Sequence, residues 1–178
     1  MTLYPSSFVV LLILFQASNG CDFIRESCTK ASENDPIVHY DFCVASLEAV
    51  ISQSNPPTSL GDLVAMSIQI TKSNATDIVS TISDLLKEPN QFSEYAKECL
   101  KDCSDLYSDS LADLDDAMGA FESQDFNTAS MKVSAAMEAS VTCENQFTDG
   151  NEESPLTEHD KTYFELNAMS LAFIKIHQ

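Results

Sequence analysis

The sequence predicts an all-α protein, an up-down four-helix bundle preceded by an N-terminal helical hairpin and stapled by disulfide bonds. Apolar residues recur at three- and four-residue steps through several long runs, the spacing of amphipathic helices. Alternating apolar and polar runs and Asn-Gly turns, the signals of strands and hairpins, are nearly absent. Short polar connections separate the runs, which favours antiparallel neighbours in a bundle.

The first twenty residues predict a signal peptide, residues 1–20. Phe8 to Phe15 are eight consecutive apolar residues, and small residues end the segment at Gly20. Eight helical residues rise only about 12 Å, against roughly 30 Å of bilayer core, so the run is too short to span a membrane. The residues before this apolar run include no Lys or Arg, so only the N-terminal amine supplies positive charge there. We expect a secreted, extracellular chain.

Removal of 20 residues from 178 leaves 158, one ordinary domain with a real core. None of the charged side chains lies in residues 1–20, so the mature chain keeps the formal net charge of −19. Such a charge repels nucleic acid and anionic membrane surfaces. A macromolecular partner that is attracted electrostatically should therefore be basic.

The hairpin is predicted over residues 21–58 and the bundle over residues 59–178. Within them the apolar spacing predicts helices at 38–53, 60–86, 92–121, 126–145 and 158–176. The sequence Asn-Pro-Pro-Thr-Ser ends the first of these helices, and Pro89 stops the second. Thr157 is predicted as the N-cap of the last helix, with Asp160 three residues on completing a short capping box.

Five acids step by three or four residues along the helix predicted at 92–121 and form what we call the acidic ridge: Asp102, Asp105, Asp109, Asp113 and Asp116. A solvated face is the simplest interpretation of the acidic ridge, and a docking surface for a basic enzyme is the alternative. Calcium needs six to eight converging oxygens, whereas a straight helix splays its carboxylates apart.

Six cysteines in an exported chain predict disulfides. The helices at 92–121 and 126–145 are antiparallel neighbours, and folding at 121–126 brings Cys103 level with Cys143. This register pairs the two cysteines, and the chain-entropy model assigns the loop of roughly forty residues about 4 kcal/mol.

The sequence predicts no enzyme and no cofactor. His39, His159 and His177 are scattered, and no catalytic spacing of the His-Glu-x-x-His or Gly-x-Ser-x-Gly type occurs. Cys99 and Cys103 lie one turn apart, but no second pair completes a tetrahedral metal site, so we expect no metal.

Two further residues, Phe126 and Asn74, each allow two interpretations. Phe126 lies in a polar connection, where it is either a hydrophobic staple for the next helix or an anchor for a partner's pocket. Asn74 begins the sequon Asn-Ala-Thr inside a predicted helix, so exposure decides whether it is glycosylated.

Four motifs in order resemble the plant invertase and pectin methylesterase inhibitor family across essentially the whole mature chain. "SCTKAS…DFCVASL" is similar to the family's first cysteine motif, and "CSDLYSDSLADLDDAMGAF" to its Cys-x-x-x-Tyr helix through Tyr107. "MKVSAAMEASVTCENQF" is similar to its alanine-rich helix ending in Thr-Cys-Glu, and "SPLT" precedes the last helix.

The resemblance implies a secreted four-helix bundle with an N-terminal hairpin and no catalysis of its own. It implies disulfides Cys28–Cys43 and Cys103–Cys143, and a location in the apoplast or cell wall. The partner would be a cell-wall pectin methylesterase or invertase, held in a non-covalent complex. "VHYDFCVASL" is most similar to a branch named for invertase inhibition that includes pollen allergens.

The chain departs from the family pattern in two ways. Cys21 and Cys99 have no counterparts; they can bridge each other, stay reduced or join two chains, and Cys99 can compete for Cys143. Gln124 and Asp125 stand where invertase inhibitors carry the Pro-Lys of a Pro-Lys-Phe contact, with Phe126 matching the phenylalanine. An acid in place of that base argues against this mode of invertase inhibition.

The predicted function is therefore a secreted inhibitor of a pectin methylesterase or an invertase. The alternatives are a structural, allergen-like extracellular protein and a ligand-binding bundle without an enzyme target. We expect a monomer if residues 21–58 pack on the bundle, and a dimer if the hairpin projects from it.

Overall fold

The computed structural model of the chain describes the backbone of residues 7–51, 56–88 and 91–178, and side chains from residue 20 onward within these ranges. The described residues form helices and no strand. The helices are α1 (Ser7–Asn34), α2 (Tyr40–Ile51), α3 (Leu60–Leu85), α4 (Glu94–Glu122), α5 (Phe126–Asp149) and α6 (Thr157–His177).

Helices α3 to α6 form the predicted up-down bundle. Helix α4 packs most extensively against α5, and the contacts α3 with α4, α5 with α6 and α3 with α6 close the ring. The largest side chains that are fully buried include Tyr107, Phe147, Tyr163 and Phe173.

Helix α6 is covered on every side at its centre. Residues 166–170 are all buried, and five consecutive helical residues point in all directions around the axis. This burial is possible because α1 covers α6 from outside the bundle, while α3 and α5 flank it within.

The N-terminal hairpin packs on the bundle. Its helices α1 and α2 are joined by the Cys28–Cys43 disulfide, with α1 against α6 and α2 against α3. The connection after α1 is also fixed to α6, since the His39 backbone N–H donates to Glu165 Oε1 at 3.1 Å. The His39 Nδ1 lies 2.7 Å from the same oxygen. Helix α1 begins at Ser7, upstream of the expected cleavage point.

The predicted helices are present with shifted ends. Helix α2 begins at Tyr40 rather than at residue 38, and its predicted end at residue 53 lies outside the described residues. Helix α5 continues to Asp149, four residues beyond the prediction.

The predicted capping box at the start of α6 is wrong. Leu156 is the N-cap and makes no side-chain cap bond. Thr157 is instead the first helical residue, and its hydroxyl lies 3.0 Å from Glu144 Oε1 and 3.2 Å from the Ser154 carbonyl. The Asp160 side chain turns inward and accepts a hydrogen bond from the Tyr107 hydroxyl. Partners on α4 and α5 thus bind the two side chains that the predicted capping box would have used.

Gly150 ends α5 beneath the ring of Tyr95. A Cβ at Gly150 would lie 1.9 Å from Tyr95 Cε1, whereas a Cβ at Gly119 in α4 would meet nothing within 4 Å. The Tyr95 hydroxyl donates to the Gln146 carbonyl at 2.8 Å and so holds the ring in place.

We therefore expect Gly150→Ala to lower the free energy of unfolding by roughly 1–2 kcal/mol, because the ring must move and its hydrogen bond breaks. The matched control Gly119→Ala should raise it by about 0.5–1 kcal/mol, since alanine is the better helix former. Chemical denaturation measures both changes. In a Tyr95→Ala background the Gly150→Ala penalty should vanish, and a penalty that persists there would contradict the steric explanation.

Candidate functional site

The connection between α4 and α5 is a tight turn with a left-handed residue. Gln124 has φ of 62°, and its backbone N–H donates to the Phe121 carbonyl at 2.9 Å. Asp125 is the N-cap of α5: its carboxylate accepts from Thr128 N at 3.1 Å and from the Thr128 hydroxyl at 2.7 Å. These bonds hold the pKa of Asp125 below its ordinary value. Both Gln124 and Asp125 are exposed at this end of the molecule.

Phe126 packs in an aromatic cluster at the same end of the bundle. Its ring centroid lies 5.6 Å from that of Phe121 and 5.4 Å from that of His177, and the latter two lie 5.1 Å apart. The cluster joins the end of α4, the start of α5 and the end of α6. Phe126 is half-buried and packs against the core, which favours its interpretation as a staple.

The acidic ridge is divided into a neutralised and a solvated part. Lys132 of α5 bridges Asp113 at 2.9 Å and Asp116 at 2.8 Å, and these bonds raise the pKa of Lys132. The ridge residues Asp102, Asp105 and Asp109 are exposed. The unneutralised charge of the ridge therefore lies in the N-terminal half of α4.

The Cys103–Cys143 disulfide joins α4 to α5, with Cα atoms 5.1 Å apart. This is the pair that the bundle register predicts. In the hairpin, Cys28 and Cys43 have Cα atoms 5.8 Å apart. Cys21 and Cys99 carry free thiols, of which Cys99 is buried. Burial raises the pKa of the Cys99 thiol, so it is a poor nucleophile.

A buried polar cluster lies next to the Cys103–Cys143 bond. The rings of Tyr107 and Tyr163 meet edge to face at 4.9 Å, and the Tyr163 hydroxyl donates to Ser110 Oγ at 2.8 Å. The Tyr107 hydroxyl donates to Asp160, which is 4% exposed. Burial, partly offset by the Tyr107 bond and reinforced by the neighbouring Glu144 carboxylate, raises the pKa of Asp160 to about 7. Burial also raises the pKa of Tyr107.

Sequence reasoning missed this cluster. The sequence predicts Tyr107 on the apolar side of its helix and in the Cys-x-x-x-Tyr motif, and Asp160 in a capping box, but it does not predict that the two meet. The available signal was the position of Tyr107 one turn after Cys103, on the same inward face of α4.

A cleft of about 630 Å³ opens beside the cluster. It lies between the C-terminal half of α5, the first turns of α6 and the α1–α2 connection. Its polar lining includes Glu144, Thr157, Asp160 and Lys161, and Ile37 of the connection lines it on the side of the hairpin.

The remaining predicted residues are dispersed over the molecule, and of these His39 lines the cleft. Asn74 is half-buried within α3, and the hydroxyl of Thr76, the third sequon residue, donates to the Lys72 carbonyl at 3.0 Å. Of the histidines, His39 binds α6, His177 joins the aromatic cluster, and His159 is half-buried near the start of α6.

Comparison with known proteins shows the family. The family model described as plant invertase/pectin methylesterase inhibitor matches residues 22–173, and the chain belongs to this family.

Two curated relatives span nearly the whole chain. A "Putative invertase inhibitor" from Platanus acerifolia is 35% identical over 170 residues, 95% of this chain and 93% of that protein. "Pectinesterase inhibitor 12" from Arabidopsis thaliana is 32% identical over 171 residues, 93% of this chain and 97% of that protein.

Solved structures share the fold. The crystal structure of a pectin methylesterase inhibitor from Arabidopsis thaliana has a TM-score of 0.60 at 19% identity, covering 86% of this chain and 96% of its own. A mutant form of a pectin methylesterase inhibitor from Arabidopsis has a TM-score of 0.64 at 20% identity, covering 77% and 89%. The predicted helical-bundle fold is thereby confirmed.

The position of Asp160 predicts a stability that falls as pH rises. Its pKa is about 7 in the folded chain against an ordinary 3.8, so the folded state binds more protons between about pH 4 and pH 7. The groups that face it are Tyr107 of α4 and Glu144 of α5. The free energy of unfolding should decline across that window by up to about 4 kcal/mol and stay level above it.

We expect Asp160→Asn to remove most of this decline and to raise the melting temperature above neutral pH, because an amide stays neutral. Asp109→Asn changes the net charge equally at an exposed position and should leave the decline in place. Thermal melting across pH checks both variants, and an unchanged decline in Asp160→Asn would refute the assignment.

Proposed function

We propose that the protein is a secreted inhibitor that binds a cell-wall carbohydrate-active enzyme in a non-covalent complex and performs no catalysis itself. The observation that carries the proposal is the family match over residues 22–173. One disulfide crosslinks the bundle and a second crosslinks the hairpin. A rigid bundle suits inhibition, because a preorganised surface loses little entropy on docking.

We propose a pectin methylesterase as the target. The invertase mode that the family resemblance implies places Pro-Lys-Phe at residues 124–126. Proline fixes φ near −65°, whereas Gln124 has φ of 62°, so this backbone cannot carry proline. The Asp125 carboxylate caps α5, so the connection offers neither the proline nor the base.

The charge of the chain also favours a pectin methylesterase. The formal net charge is −19, and no lysine among the described residues bridges Asp102, Asp105 or Asp109 as Lys132 bridges Asp113 and Asp116. A basic enzyme would be attracted to this half of α4, whereas polyanionic pectin would be repelled.

An invertase is the second candidate, and the names of the Platanus relatives favour it. Binding would then use a surface other than the Pro-Lys-Phe contact. A structural, allergen-like role remains the alternative if neither enzyme is inhibited.

Export is part of the proposal, with cleavage of the signal peptide after Gly20. The family match begins at residue 22, directly after this point. Within the ranges that the structure describes, no helix has the length and hydropathy of a membrane span. Sequencing of the exported chain should find Cys21 first, and Asn74 should then be tested for a glycan by mass spectrometry.

Titration of the purified protein into pectin methylesterase and invertase assays, side by side, tests the target. We expect a basic methylesterase to be inhibited at micromolar concentration or below, with affinity that weakens as salt rises and as pH falls toward the carboxylate range. Asp102→Asn, Asp105→Asn and Asp109→Asn combined should slow association, whereas three matched substitutions at exposed acids on other helices should slow it less. Affinity that is flat across salt would contradict electrostatic attraction.

The substitution Phe126→Ala distinguishes the two interpretations of Phe126, a hydrophobic staple for α5 or an anchor for the target enzyme. Because the ring packs on Phe121 and His177, we expect the free energy of unfolding to fall by roughly 2–3 kcal/mol while inhibition by the folded protein is retained. Met131→Ala, at a side chain 65% exposed on the same helix, is the control and should change neither. Lost inhibition with unchanged melting would instead make Phe126 a contact for the target enzyme.

A further inference from the structure

The cleft beside α6 has the size and walls of a small-molecule site. Its volume is about 630 Å³, within the roughly 300–1,000 Å³ typical of ligand pockets. Ile37 of the α1–α2 connection, Val141 of α5 and Phe164 of α6 supply apolar side chains from three separate elements. An occupant would therefore contact the hairpin and the bundle together.

The polar side of the cleft is rich in hydrogen-bond acceptors. Asp160 is 4% exposed, and its Oδ2 is buried without a hydrogen-bond partner among the described residues. Glu144 lies beside it, half-buried, with its two oxygens 3.0 and 3.1 Å from the Thr157 hydroxyl. A hydroxyl donates only one hydrogen, so Glu144 keeps lone pairs beyond that bond, and the Asp160 carboxyl group faces it.

The basic side chains Lys161 and His39, which line the cleft, contact other carboxylates. Lys161 binds Glu158 at 2.8 Å, and the Nδ1 of His39 lies 2.7 Å from Glu165. Within the part of the chain that the structure describes, neither Lys161 nor His39 forms an ion pair with Glu144 or Asp160. The Glu144 charge nevertheless lies near enough to Lys161 to raise the pKa of Lys161. The Asp160 and Glu144 carboxyl groups face each other, and a donor from outside the chain would supply a further hydrogen bond to this pair.

We propose that this cleft binds a small organic ammonium ion, with its charged group on Glu144 and its apolar body between Ile37, Val141 and Phe164. A donor cation matches the acceptor-rich side, and the apolar walls match a hydrocarbon or aromatic body. Two carboxylates are too few for calcium, which takes six to eight oxygen ligands. The net charge of −19 raises the local concentration of cations and lowers that of anions.

Binding should also stabilise the docked hairpin. Ile37 and His39 belong to the α1–α2 connection, whereas the other lining residues belong to α5 and α6. A ligand that touches both sides binds only the docked arrangement and therefore favours it. This site is separate from the α4–α5 connection and does not depend on the identity of the inhibited enzyme.

The test uses tyramine as the probe and tyrosol as its neutral counterpart, since the two differ only in an amine against a hydroxyl. Calorimetry and heteronuclear NMR on the exported chain should show tyramine binding at least about tenfold tighter than tyrosol, the factor expected for one charge-assisted hydrogen bond. The NMR shifts should map to Ile37, Val141 and Phe164.

Two charge-matched variants of α5 complete the test. Glu144→Gln should weaken tyramine binding by about tenfold or more. Glu138→Gln, at an exposed position on the same helix, should leave it unchanged. Melting curves of both variants exclude unfolding as the cause. Equal binding of tyrosol, equal loss in both variants, or shifts that map elsewhere would overturn the proposal.

Discussion

The antiparallel contact of α4 with α5, crosslinked by Cys103 and Cys143, is the constraint on which the rest of the molecule depends. The bond fixes the vertical register of two helices that pack along their lengths. Tyr107 follows Cys103 by one turn, and Glu144 follows Cys143 directly, so the crosslink sets both side chains at one level of the bundle. Asp160, near the start of α6, lies at the same level and accepts a hydrogen bond from Tyr107. The position of the start of α6 therefore depends on the same register.

Helix α6 connects the part of the bundle around the Cys103–Cys143 crosslink to the N-terminal hairpin. Its middle is buried on all sides because α1 covers the face that the four-helix ring leaves open. The Cys28–Cys43 bond holds the hairpin together, and the bonds of His39 to Glu165 hold its connection on α6. The cleft lies between the α1–α2 connection, the C-terminal half of α5 and the first turns of α6. Packing of the helices leaves the carboxyl groups of Glu144 and Asp160 at the cleft, where they are available to bind a ligand.

Three residues, Gln124 to Phe126, meet both the local and the tertiary requirements of the α4–α5 turn. Gln124 takes the left-handed conformation that closes the turn, Asp125 caps the next helix, and Phe126 fills the end of the bundle. The backbone of Gln124 and the side chains of Asp125 and Phe126 thereby have structural roles, which limits what the connection offers to a target. The exposed acids of α4 are not limited in this way, since Lys132 neutralises only the far end of the ridge.

Sequence alone determined the features whose causes are local or periodic. Apolar spacing predicted the helices of the bundle, and the turn at 121–126 predicted the Cys103–Cys143 pair, because helix rise and reversal leave one register. Four short motifs in order were sufficient for the family. Tertiary structure decided what depends on groups far apart in the chain: Asp160 became a buried acceptor, Thr157 a partner of Glu144, and Ile37 one wall of a cleft. A capping motif predicts only the bonds available within one turn, and here partners on other helices bind the same side chains instead.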